Sequence, residues 1–194
     1  MDELRRDPVM AGLIEEHGPL ELEPAADEFE RLVVSIINQQ MSTASATAIR
    51  ERVFSRVEIT PEGLLAADAA VLRDAGLSTQ KVEYVRNVAR AFRERDLSAA
   101  RFADEPDEVV IDELTDIRGV GPWTANMYLM FALGRPDVLP LGDLAVRRGI
   151  EALYNDGASL TRAEMREIAA AWRPYRSLAT LYIWAAYEAP DSSV

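Results

Sequence analysis

Leu114-Thr115-Asp116-Ile117-Arg118-Gly119-Val120-Gly121-Pro122-Trp123-Thr124-Ala125-Asn126 reads as two helices joined by a tight turn with glycines two apart. Glycine belongs where the backbone turns sharply or must approach a ligand closely, because it has no Cβ to clash. The helix that follows begins with amide N–H groups that have no partner inside the helix. Such groups point outward as a ready site for an anion, a DNA phosphate among them. This contact relies on backbone dipoles and needs no lysine. The same turn also joins packed helices in proteins that bind nothing, so the Gly-x-Gly spacing alone leaves both readings open.

Working outward, nearly the whole chain carries helical spacing. Phe29, Leu32, Val33, Ile36 and Ile37 recur every three or four positions behind Asp27, a capping residue. Ser42 opens a second helix through Ala46, Ile49, Val53 and Phe54. Thr60-Pro61-Glu62-Gly63 starts another, with proline in its first turn. Asp68 caps Ala69–Ala75, which Gly76 ends. Further helices are expected over Lys81–Arg95, with Val82, Val85, Val88, Ala89 and Phe92 on one face, and over Pro106–Leu114. The remainder are Thr124–Leu133, Leu144–Leu153, Arg162–Trp172 and Arg176–Tyr187. No alternating strand, repeat or low-complexity stretch interrupts them. About ten helices on short turns predict an all-α protein, a single domain over 1–194 with its hairpin at about 112–133.

Composition narrows the chemistry. With no cysteine, disulfides, thiolate zinc sites and iron–sulfur clusters are excluded, and one histidine, His17, argues against a histidine-rich metal site. Polar residues interrupt every apolar run before it reaches membrane-spanning length, and the charged start Met1–Arg6 is not followed by a signal-peptide core. A cytoplasmic location is expected. Asp and Glu number 33 against 21 Lys and Arg, a net charge of −12. Nucleic-acid binding usually leaves a basic footprint, so any DNA face must be locally basic within an acidic surface. Only Lys81 is lysine; the other twenty cations are arginine. A lysine-poor, acid-rich surface resembles adaptation to high internal salt.

About twenty residues beyond the turn lies Val138-Leu139-Pro140-Leu141-Gly142-Asp143-Leu144-Ala145-Val146-Arg147-Arg148. Asp143 follows an apolar segment punctuated by Pro and Gly, at the N-cap of the next helix. Capping is the usual work of an aspartate there; a carboxylate aimed into a cleft from a helix start can be both cap and catalyst. The combination of a Gly-Val-Gly hairpin with Gly, Pro and Asp some twenty residues later resembles the helix–hairpin–helix–GPD superfamily of DNA glycosylases. Three features resemble its alkylpurine branch, the AlkA-type 3-methyladenine DNA glycosylases II. These are Trp123-Thr124-Ala125-Asn126, then Trp172-Arg173-Pro174-Tyr175-Arg176-Ser177 with Leu181-Tyr182-Ile183-Trp184, and Ile36-Ile37-Asn38-Gln39-Gln40-Met41-Ser42 within Phe29–Thr47. Gly76-Leu77-Ser78-Thr79-Gln80-Lys81 is similar to a turn and helix start common in the superfamily.

The resemblance implies two helical lobes around a cleft, double-stranded DNA with damaged purines as partner, and a nucleoid-associated, monomeric enzyme of base excision repair. It implies that Gly119, Val120, Gly121 and Thr124 grip the DNA backbone. It also implies that Gln40 or Met41 fills the gap left by a flipped nucleotide, and that Arg147 and Arg148 face phosphates, although a solvated pair on an acidic protein fits those two as well. Arg176 suits a phosphate or an internal ion pair. No cofactor is required; main-chain carbonyls of Thr115, Ile117 and Val120 would hold Na⁺ or K⁺ in the hairpin. Bifunctional members carry a hairpin lysine that attacks the sugar, and the matching residue here is Trp123. Lyase activity is therefore not expected, and Lys81 suits a helix start or a phosphate. Only about 28 residues precede the shared core, too few for the N-terminal sheet domain of larger relatives. Where those relatives carry aromatic pocket residues, this chain has Met127 and Leu144.

The chemistry follows from the bond to be broken. Cleaving a purine N-glycosidic bond leaves positive charge on the sugar, as in glycoside hydrolysis. A buried carboxylate, Asp143, stabilises that charge and orients or deprotonates water. N3- or N7-alkylation makes the base cationic, so it departs without an acid. Trp123 and Trp184 can stack on such a base through cation–π attraction, roughly 0.5–2 kcal/mol each, or can simply pack the core. Three alternatives stay open: a helix–hairpin–helix DNA binder without catalysis, a generic helical protein, and a glycosylase for ethenoadenine or oxidised bases.

Overall fold

The computed structural model describes residues 2–188, and every regular element among them is helical. The chain divides into two compact units. One is Pro24–Leu133; the other combines the flanking segments Met1–Glu23 and Gly134–Val194.

In the Pro24–Leu133 unit, helix α2 (Glu28–Asn38) starts where the Asp27 side chain accepts the amide of Glu30 at 2.8 Å. Its expected apolar positions are buried, with Leu32, Val33, Ile36 and Ile37 fully enclosed. Around it lie α3 (Thr43–Phe54), capped by Ser42, and α6 (Thr79–Glu94) and α9 (Pro122–Phe131). Val82, Val85, Val88 and Ala89 turn inward from α6, and Phe92 meets Phe29 edge to face with ring centroids 5.2 Å apart. Two short helices, α4 (Pro61–Ala66) and α5 (Ala69–Asp74), begin at Thr60 and Asp68 as their spacing predicts. Two more, α7 (Ala99–Phe102) and α8 (Asp107–Thr115), lead into the hairpin.

Two starts fall earlier than the spacing predicts. Ser78 caps α6 by accepting the Lys81 amide, so the helix begins at Thr79 rather than Lys81. Pro122 takes the first position of α9 behind Gly121, two residues before the expected Thr124. Helix α7 lies outside the expected set.

The other unit is built from α1 (Pro8–His17), α10 (Leu144–Tyr154), α11 (Arg162–Ile168) and α12 (Arg176–Glu188). Helix α1 is a further addition to the expected set, although Asp7-Pro8 supplies both a cap and a proline at the first turn. Beyond Ile168 the chain tightens to a 3₁₀ turn over Ala169–Trp172, so the α-helix expected to reach Trp172 stops short. Trp172, Tyr182 and Ile183 are fully buried with Val146, Ile150 and Met165. The Trp172 indole donates to the Tyr154 hydroxyl at 3.2 Å, and that hydroxyl donates to Asp7 at 3.0 Å. Helices α10 and α12 approach closely at Gly149, where a Cβ would lie 2.4 Å from the Ile183 side chain. Among the described residues no helix is long and apolar enough to cross a membrane.

Candidate active site

Asp143 sits where sequence places it, at the N-cap of α10. Its Oδ1 accepts the Val146 amide at 3.0 Å and lies 3.4 Å from the indole nitrogen of Trp184 on α12. The close packing at Gly149 brings the two helices near enough for this second contact. Asp143 is half-buried rather than buried as expected, with Gly142 and Leu144 on either side exposed to solvent. A carboxylate held this way is fixed in direction and still reachable by water. Leu144 is 59 % exposed, and Trp184 is half-buried.

The strap leading to Asp143 is pinned from α12. The Arg176 guanidinium donates to both carboxylate oxygens of Asp137, at 2.7 and 3.0 Å, and to its carbonyl at 2.8 Å. Arg173 reaches the same carboxylate at 3.2 Å. Ser177 accepts the Val138 amide at 2.9 Å and donates to the Arg135 carbonyl at 2.6 Å. Val138 and Leu141 are buried, and the Asp143 amide closes a turn onto Pro140 O at 2.9 Å. Of the two readings open for Arg176, the internal ion pair is the one found. The run Trp172–Ser177 thus positions the aspartate and leaves Arg176 engaged within the protein. Arg148 is also paired, with Glu151 at 3.1 Å, while remaining more than half exposed. Arg147 is half-buried on the same helix.

In the Pro24–Leu133 unit the hairpin glycines separate into two roles. Gly119 has φ 109° and lies against Tyr84, whose ring would be 2.3 Å from an added Cβ. This glycine is required by the turn and by its neighbour. Gly121 has φ −100° and nothing within 4 Å of an added Cβ, so nothing in the protein requires it to be glycine. The space over it is open to a ligand. Helix α9 begins there without a side-chain cap, as an anion-binding helix start should. Val120 and Thr124 are buried, and the Thr124 hydroxyl accepts the Gln39 amide at 2.8 Å. Thr124 is thus held inside the hairpin, with its hydroxyl engaged by Gln39. Trp123 is half-buried, whereas Met127 is 3 % exposed and packs inside. Met127 thus presents almost no surface to a base in this conformation.

Gln40 is exposed in the left-handed region, with φ 54°, while Met41 is half-buried. Lys81 sits in the first turn of α6. Its ammonium donates to Ile37 O at 2.6 Å and Gln39 O at 2.8 Å, at the end of α2. Burial lowers its pKa from the usual lysine range. The carbonyls that the family resemblance implies for a monovalent cation are neutral oxygens, the donor type that K⁺ takes. Ile117 O already accepts the Val120 amide at 2.9 Å, which leaves it one lone pair. Tyr84 behind Gly119, and the side-chain bonds of Gln39, escaped sequence reading because neither has a local signature.

A family model described as HhH-GPD superfamily base excision DNA repair protein matches residues 33–174. The chain belongs to this superfamily. Within it, the Bacillus subtilis protein YfjP is 30% identical over 92% of this chain, and the chain spans 66% of YfjP's length. The solved structure of a Bacillus halodurans DNA-3-methyladenine glycosidase superimposes with a TM-score of 0.80 at 36% identity, covering 96% of this chain and 88% of that one. A Schizosaccharomyces pombe 3-methyladenine DNA glycosylase (Mag1), solved in complex with abasic DNA, gives a TM-score of 0.88 at 26% identity over 100% of both chains. The HhH-GPD assignment accounts for the Gly119–Gly121 turn and for the Gly, Pro and Asp that precede α10.

Proposed function

We propose that this HhH-GPD protein is a monofunctional DNA glycosylase that hydrolyses the N-glycosidic bond of alkylated purines in duplex DNA. The reading rests above all on Asp143, a carboxylate held by the Val146 amide and the Trp184 indole yet open to water. Such a group stabilises the cationic sugar of the transition state and directs a water toward it. The Trp123 position supplies no amine, and the one lysine is occupied by carbonyls, so hydrolysis rather than Schiff-base chemistry fits the chain. An N3- or N7-alkylated purine leaves without a proton donor, which suits a single carboxylate. The names of the relatives, glycosylases of 3-methyladenine, point the same way.

In this reading the start of α9 takes a backbone phosphate on its amides, beside the open face of Gly121. Gln40, exposed on a left-handed turn, fills the gap in the helix in preference to Met41. Trp184 and Leu144 flank the reacting sugar and base, Trp123 faces the nucleic acid, and Arg147 and Arg148 add cationic contacts. Thr115, Ile117 and Val120 would hold Na⁺ or K⁺ through their carbonyls, adding positive charge near the phosphate. The protein acts as a monomer in the cytoplasm, on the nucleoid.

The test uses a duplex with one N3- or N7-alkylpurine, following free base beside Asp143→Asn. The expectation is release by the wild type, loss in the variant, and an intact strand until alkali is added. Unchanged release by Asp143→Asn would remove the mechanism, and strand scission without alkali would remove the monofunctional assignment.

A further inference from the structure

Lys81 is the one lysine beside twenty arginines. Its Nζ lies 2.6 Å from Ile37 O and 2.8 Å from Gln39 O. Carbonyls at a helix C-terminus have no donor within the helix, and here both turn toward one point. An ammonium directs three N–H bonds from a single atom, whereas a guanidinium is a planar fork shaped for carboxylates and phosphates. Two carbonyls converging on one point suit a compact ammonium at the end of an unbranched stem.

Gln39 carries the connection onward. Its carbonyl takes Lys81, and its side-chain nitrogen donates to Gly119 O at 2.9 Å and to Thr124 Oγ1 at 2.8 Å. One residue thus ties the end of α2 to the first turn of α6, to the hairpin turn and to α9. The next residue is Gln40, exposed and held at φ 54°. A left-handed glutamine is a strained conformation that persists only when its surroundings impose it.

We infer that Lys81 and Gln39 form a brace that fixes the Gln40 turn to the hairpin, so that the phosphate-binding turn and the inserting side chain move as one rigid piece. They are positioning residues for base extrusion and take no part in bond cleavage. The inference rests on the reading of Gln40 as the inserting side chain. Extrusion costs lost stacking and pairing, and a side chain that fills the gap is effective only when its backbone is held in place beforehand.

The test uses the full chain and two measurements. In the first, base release in a single turnover is compared for an alkylpurine paired in a duplex and for the same lesion opposite an abasic site. Lys81→Met should slow release from the paired duplex about ten-fold, the effect of losing charge-assisted bonds. Opposite the abasic site, where extrusion is easier, release should stay within about two-fold. Lys81→Arg should not restore the paired rate. Equal loss on both substrates, or loss on neither, overturns the brace. The second measurement is amide hydrogen exchange, expected to quicken over residues 38–41 and 119–121 alone. Unchanged exchange there overturns the brace whatever the activity. Should Lys81→Met loosen the whole unit, Gln39→Leu, which keeps the carbonyl contacts, is put through both measurements instead. If the wild type releases no base from either duplex, the glycosylase reading falls, and hydrogen exchange still decides on the brace.

Discussion

The indole N–H of Trp184 and the amide of Val146 converge on the same oxygen of Asp143, at 3.4 and 3.0 Å. One donor comes from the helix that Asp143 caps and the other from α12, so the carboxylate is oriented by two elements. Trp184→Phe keeps an aromatic ring while removing the long hydrogen bond and some of the indole's packing against the core. Single-turnover kcat should fall by roughly three- to ten-fold with KM little changed, the size expected for one modest hydrogen bond. Asp143→Asn keeps a capping side chain and loses the charge. Its stability should stay within about 0.5 kcal/mol while base release falls at least about 100-fold. A fall in stability equal to that of Asp143→Ala would show that the substitution acts on the fold.

The two hairpin glycines should respond oppositely to alanine. Gly119→Ala puts a Cβ against Tyr84 at a positive φ and should destabilise the protein by about 2–4 kcal/mol. Gly121→Ala meets no protein atom, so its unfolding midpoint should match the wild type. Its DNA affinity should drop, because the added methyl occupies the space over the helix start. Denaturant titration beside a DNA-binding isotherm checks both; equal affinity for Gly121→Ala and wild type would remove the backbone contact from that position.

Arg176 and Asp137 are each less than a quarter exposed, so removing Arg176 leaves a poorly solvated carboxylate with the exposed Arg173 as its remaining cation. Arg176→Gln should cost about 2–3 kcal/mol of stability, discounted from a fully buried pair for partial exposure. Adding Asp137→Asn should recover part of the loss, since the poorly solvated carboxylate is then gone and Arg173 is exposed to water. A double-mutant cycle with zero coupling would contradict this account.

Alkaline stability should be governed by Tyr128 and Tyr154. Burial, first, pushes both phenols well above the ordinary tyrosine value; Glu28, Asp27 and Asp96 add to it for Tyr128, and Asp7 for Tyr154. A raised folded pKa means that the native state holds its proton while the unfolded chain ionises near pH 10, so stability falls as pH rises beyond that point. The contribution is complete below about pH 9 and lost progressively above 10. Denaturant midpoints taken through that range should decline, less steeply in Tyr128→Phe, and the phenolate absorbance should stay below that of six tyrosines until unfolding.

Much of this was legible because helix starts are local. Asp27, Ser42, Thr60, Asp68 and Asp143 each cap through an amide two or three residues away, and the apolar spacing behind them marks the buried face. Even the start at Asp7-Pro8 carries these signals in full. What sequence could not show were bonds between distant segments. Gln39 and Thr124 are 85 residues apart, Lys81 and Ile37 44, and Arg176 and Asp137 39. A glutamine, a lysine and an arginine look alike whether they face solvent, a phosphate or a carbonyl, until folding brings their partners into reach. The same limit applies to Met127: helical spacing marks it as apolar but does not say which side of α9 it occupies.

The Asp7–Tyr154–Trp172 chain of hydrogen bonds, together with the Tyr182 hydroxyl bridging Gly18 O and the Leu20 amide at 3.0 Å each, also has a consequence for synthesis. The Pro24–Leu133 unit has all its residues once Leu133 leaves the ribosome. The segment before it must wait, its apolar Met10, Leu13 and Ile14 uncovered, for partners made more than a hundred residues later. This part of the nascent chain therefore folds from the middle outward, and α1, made before the Pro24–Leu133 unit, is buried after it.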